Sequence, residues 1–121
     1  MKRAVKKTNP RLLKLISMLY QASSEHDAKI WRVIAKRLDS PGRNYAEVNI
    51  SKISRYAQGG DIILVPGKVL GSGVLSQPVE VAALNFSKSA TSKIEMAKGT
   101  CRSIEELLKD NPQGSRVRIL R

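Results

Sequence analysis

The chain has 121 residues, 41% of them hydrophobic and 26% charged, which is enough apolar material for one compact domain and too much for an intrinsically disordered chain. Its 22 Lys and Arg against 10 Asp and Glu give a net charge of +12, and a surplus of that size calls for an anionic partner, nucleic acid before an acidic membrane. Aromatic residues make up only 4%, which excludes a broad stacking platform for single-stranded nucleic acid. The one cysteine, Cys101, excludes an internal disulfide framework, and no histidine cluster completes a zinc site. A reducing cytoplasm is expected, with no signal-peptide core after MKRAVKK and no apolar run of membrane-spanning length.

The charge is uneven along the chain. Residues 1–60 hold 13 basic and 4 acidic side chains, a net +9, whereas residues 61–121 hold 9 and 6, a net +3. Residues 1–9, with Lys2, Arg3, Lys6 and Lys7, cannot bury themselves and read as a basic extended arm. Residues 10–121 are then expected to form a single domain, helical over 10–60 and mixed over 61–121.

Pro10 suits a first helical position, with Asn9 or Thr8 as cap, and Leu12, Leu13, Ile16, Leu19 and Tyr20 recur at helical spacing to about Ala22. Ser24 and Asp27 have capping-box spacing before a second helix, whose Ile30, Trp31, Ile34 and Leu38 share one face. Lys29, Arg32, Lys36 and Arg37 lie on its opposite face, suited to phosphates. Residues 39–44 are dense in turn formers and read as a connector. Asn49 is placed to cap a short helix with Lys52 and Arg55 outward, ended by Gly59 and Gly60.

From Ile62 the periodicity changes. Ile62–Val65 reads as a strand buried on both faces, Pro66–Gly67 as a turn, Val69–Leu70 as its continuation and Gly71–Ser72–Gly73 as a second tight passage. A further strand is expected around Val79, Val81 and Ala83. Ser87 caps a helix carrying Ala90, Ile94 and Ala97, with Gly99 in the left-handed stop position. Ser103 and Glu106 frame a helix start before Leu107 and Leu108, Asn111–Pro112 ends that helix, and Val117 and Ile119 alternate with Arg116 and Arg118 in a basic edge strand. The expected class is α/β: N-terminal helices, then an irregular layered core of short strands and helices.

No catalytic constellation assembles. Lys68 among Gly67, Gly71 and Gly73 resembles a phosphate loop only superficially, because Val69 stands where a P-loop needs Ser or Thr. These glycines read as turn geometry that also lets an RNA backbone come close. His26 reads as a solvated residue at a helix start, with no nucleophile elbow to serve. Cys101 lacks a nearby histidine, and Glu105 and Glu106 are explained by a helix first turn. The start of the Ser87 helix, with Lys88 and Lys93, has hydroxyls and free amides where a phosphate could sit.

Three blocks, Lys68–Leu75, Val79–Ala90 and Lys93–Gly99, with Asn9–Pro10, the Trp31 helix and Val48–Ile53 in order before them, give a resemblance to a known family. The chain resembles the large-subunit ribosomal protein eighteen-e family, in its short archaeal form, itself related to bacterial large-subunit ribosomal protein fifteen. The resemblance covers nearly the whole chain. It implies a layered α/β core and a structural, non-enzymatic role on large-subunit ribosomal RNA beside neighbouring ribosomal proteins, with no cofactor, metal or small-molecule substrate. Family members commonly carry Gly-Gly where this chain has Lys98–Gly99. Expected RNA-binding residues are Lys2, Arg3, Lys6, Lys7, Arg11, Lys14, Arg32, Lys36, Arg37, Arg43, Lys52, Arg55, Lys68, Ser87, Lys88 and Lys93. A free-standing DNA regulator, with a helix-turn-helix turning at Ser23–Glu25, is the alternative, disfavoured because the basic residues are spread over arm, helices and loops.

Overall fold

Asn9 caps the first helix by turning its side-chain oxygen onto the backbone N–H groups of Arg11 and Leu12. The computed structural model describes residues 9–41 and 45–121; the expected arm (Lys2, Arg3, Lys6, Lys7) and Arg43 lie outside the described residues. The described residues form five helices and five strands, an α/β arrangement as expected. They divide into two compact units, one running to Tyr45 and including Glu105–Ser115, the other Ala46–Ile104 with Arg116–Arg121.

In the first unit, α1 spans Pro10–His26 and buries Leu15, Ile16, Leu19 and Ala22. It runs four residues beyond the expected end at Ala22. The capping box at Ser24 does not form, because Ser24 is inside α1 and Asp27, at φ 49°, takes the left-handed stop position that a short polar side chain tolerates. The Ala28 N–H closes the turn on the Ser23 carbonyl at 3.2 Å. α2 (Lys29–Leu38) starts without a side-chain cap and buries Trp31, Ile34, Ala35 and Leu38. The Trp31 ring is fully buried, and its Nε1 donates to the Pro112 carbonyl at 2.7 Å. Pro112 lies just past α5 (Ile104–Asp110), in a loop that Asn111 ties by donating to the Ser115 carbonyl and accepting from the Ser115 N–H.

The second unit is a sheet in which every pairing is parallel. β1 (Ala46–Asn49), β2 (Ile62–Leu70), β3 (Glu80–Phe86) and β4 (Thr100–Ser103) lie in that order, and β5 (Val117–Ile119) also pairs with β2. β3 occupies one edge of β2, so β5, on Ile62–Leu64, and β1, on Gly67–Leu70, share the other end to end. Neither β1 nor β4 is expected from the sequence; the edge strand β5 is.

The turn expected at Pro66–Gly67 is absent, because β2 passes straight through. Pro66 falls between the β5 and β1 ladders on one side and at a register shift, Val65 to Lys68, against β3 on the other, so its missing N–H leaves no ladder bond unmade. Gly67 is needed for close approach: a Cβ there would stand 1.9 Å from the Ala46 carbonyl oxygen. Parallel sheets are covered on both faces, and β2 and β3 carry consecutive buried residues, Ile63 to Val65 and Val81 to Ala83. One face packs with Ile50 and Ile53 of α3 (Ile50–Tyr56) and Ala90 and Ile94 of α4 (Lys88–Met96).

α4 begins as expected, with Ser87 Oγ accepting from the Ala90 N–H at 3.1 Å. Its end differs, because Lys98 and not Gly99 adopts the left-handed conformation, at φ 63°. A lysine there carries a Cβ penalty that glycine lacks. Lys98→Gly is therefore expected to stabilise the chain by about 0.5–1 kcal/mol, seen as a higher urea midpoint at unchanged slope.

Candidate nucleic-acid interface

α2 separates its side chains as its periodicity demands. Lys29, Arg32 and Lys36 are exposed opposite the buried Trp31 face. Arg37 does not join them fully: it is half-buried, and its Nε is shielded from solvent without a hydrogen-bond partner. On α1, Lys14 is exposed. Arg11 instead reaches Glu105 of α5, with Nε at 2.8 Å and Nη2 at 3.1 Å from its carboxylate oxygens. That hydrogen-bonded guanidinium holds the Glu105 carboxyl below the ordinary glutamate value. A depressed carboxylate contributes stability above its unfolded value and loses that contribution as pH falls, so the pair weakens in acid.

In the second unit, Arg55, Lys68 and Lys88 are exposed. Lys52 and Lys93 are half-buried and serve the fold: Lys52 Nζ donates to the Arg121 carbonyl, and Lys93 Nζ to the carbonyls of Gly71 and Gly73 at 2.5 and 2.6 Å. The glycine loop is closed from the other side as well. A Cβ on Gly71 would overlap Ser89 Oγ, and Gly73, at φ 113°, lies against the Ser51 backbone. The close approach attributed to an RNA backbone is made here by the chain's own α3 and α4. Asn49, expected to cap α3, makes no such bond; its Oδ1 accepts from the Ser72 N–H at 3.3 Å. Ser87 caps α4 and stands 3.3 Å, oxygen to oxygen, from Ser89.

His26 ends α1, exposed in its last turn and not in the first turn of α2. Cys101 lies half-buried in β4 against the core, and burial, with the Glu95 carboxylate behind it, pushes its thiol above the ordinary value, away from the nucleophilic thiolate. Among the described residues no group of three or more His, Cys, Asp or Glu side chains is placed to hold a metal ion, and no helix is long and apolar enough to cross a membrane.

Comparison with known proteins decides among these readings. The family model described as ribosomal protein 60S L18 and 50S L18e matches residues 1–121. The chain belongs to this family of large-subunit ribosomal proteins. Among similar L18e-family members, a protein of Methanoregula boonei called large ribosomal subunit protein eL18 is 69% identical over 121 residues, all of both chains. Proteins of the same name from Methanosphaerula palustris and Archaeoglobus fulgidus are 67% identical over 117 residues and 52% over 116, covering 97% and 96% of this chain and 97% and 99% of their own. The DNA-regulator alternative loses its footing on geometry too. Only Asp27 and Ala28 separate α1 from α2, shorter than the three- or four-residue turn of a helix-turn-helix.

Sequence reasoning located the exposed cations of α2 and missed the internal duties of Arg11, Lys52 and Lys93, whose partners are distant in sequence. Arg116 and Arg121 are exposed as well, and Arg118 half-buried, along the basic edge that the alternation around Val117 and Ile119 marks.

Proposed function

We propose that the chain is a non-catalytic constituent of the large ribosomal subunit in the cytoplasm, binding folded large-subunit ribosomal RNA through its phosphates and meeting neighbouring ribosomal proteins. The supporting observation is the segregation of charge in a member of this family: every buried residue among those described is apolar or glycine or proline, while Lys14, Arg32, Lys36, Arg55, Lys68 and Lys88 are exposed. Those six, with Lys2, Arg3, Lys6, Lys7 and Arg43 beyond the described residues, are the proposed phosphate contacts. Arg11, Lys52, Ser87 and Lys93 contribute first to holding the helices and loops in place, and half-buried Arg37 belongs to neither group.

Phosphate neutralisation releases counterions, so binding to a large-subunit ribosomal RNA transcript should weaken steeply with salt. Replacing Lys14, Arg32 and Lys36 together by Gln is expected to flatten the log–log salt slope by about two, since each neutralised phosphate contributes about 0.7–0.9 to it. Lys93→Gln should lower thermal stability and leave the slope unchanged. A parent chain that binds the transcript no better than an uncharged protein would end this reading.

A further inference from the structure

β5 and its flanking residues lie along α3 and the loop after it, and three interactions mark an antiparallel track. Lys52 Nζ meets the Arg121 carbonyl, the Arg118 guanidinium stands 6.0 Å from the centroid of the Tyr56 ring, and Arg116 Nη2 donates to the Gly59 carbonyl at 3.5 Å. As Tyr56 rises in number to Gly59, its partner falls from Arg118 to Arg116. Lys52, Arg116 and Arg118 thus lie on this track, with exposed Arg55 next to Tyr56 in α3 and exposed Arg121 two residues past β5, and Tyr56 itself remains 39% exposed. The ion pairs Arg11–Glu105 and Arg102–Glu80 engage none of the five.

Like charges so gathered repel one another and favour an external polyanion. The ring narrows the choice. Phosphates alone do not call for an aromatic ring among the cations, whereas an unpaired RNA base is held by stacking on Tyr or on the plane of an arginine guanidinium while adjacent cations take its phosphates. Arg118 near the ring at the reach of a cation–π contact joins the two surfaces. We propose that Tyr56 and Arg118 form a stacking site for one unpaired nucleobase, with the flanking phosphates neutralised by Arg55, Arg116 and Arg121. This deepens the proposed ribosomal RNA reading and rests on it.

The test uses the full chain, a large-subunit ribosomal RNA transcript, and the variants Tyr56→Phe, Tyr56→Leu and Tyr56→Ala, each checked by thermal melting. Stacking is worth enough per base that Ala and Leu should each weaken binding about tenfold, while Phe, which keeps the π face, stays within about twofold of the parent. Because no charge is removed, the salt slope should be the same in all four proteins. Leucine binding as well as tyrosine would overturn the stacking site, since apolar bulk would then suffice. A flatter salt slope in the Ala variant would overturn it too, reducing Tyr56 to a support for Arg118. In both cases the parent still binds RNA and the broader reading stands; a parent that fails to bind removes both.

Discussion

Trp31→Ala is expected to cost about 3–5 kcal/mol, the range for deleting a large buried aromatic side chain, and to lower the melting temperature by more than about 10 °C. Two effects combine at this position. The ring is fully buried in α2, so its removal leaves a cavity that its neighbours fill only in part, and the loop after α5 is deprived of the donor to the Pro112 carbonyl. Trp31→Phe separates them. Phenylalanine keeps most of the volume and lacks the N–H, so it should cost about 1–2 kcal/mol, near the value of one hydrogen bond with a little packing. Circular dichroism on heating reads both variants. Equal stability of the Phe and Ala variants would assign the whole effect to the hydrogen bond and none to the cavity.

Gly67→Ala is expected to be nearly as damaging for a smaller chemical change. The new methyl would stand 1.9 Å from the Ala46 carbonyl oxygen and 2.8 Å from the Ala46 nitrogen, both backbone atoms of the adjacent strand. β1 must move away, and about 3 kcal/mol is the scale of such overpacking. Hydrogen exchange should show the amides of residues 46–49 losing protection first. Gly59→Ala supplies the control, because nothing lies within 4 Å of a Cβ there, and it should change stability by less than about 0.5 kcal/mol.

The elements that declare themselves in the sequence are those whose own residues decide them. α1, α2 and α4 carry apolar residues at helical spacing, and Asn9 and Ser87 cap as their side chains allow. β1 and β4 have four residues each, too few for an alternation such as Ala46 and Val48 against Glu47 and Asn49 to mark a strand without its pairing to β2 or β3. Pro66–Gly67 has the composition of a turn, and only the position of two neighbouring ladders makes it strand. The interface divides likewise. A lysine's charge is legible wherever it stands, but whether it meets water or a carbonyl depends on residues far away: Arg11 finds Glu105 across 94 positions, and Lys93 finds Gly71 across 22.

The shared edge of β2 has a consequence for synthesis. Its Ile62–Leu64 stretch pairs on that side only with residues 117–119, more than fifty positions later. While translation proceeds from one to the other, an apolar strand edge stays open and offers its unpaired backbone groups to any other nascent chain. Parallel pairing over such separation is also slow to form. That side of β2 therefore closes only once β5, the last strand in the sequence, is available to pair.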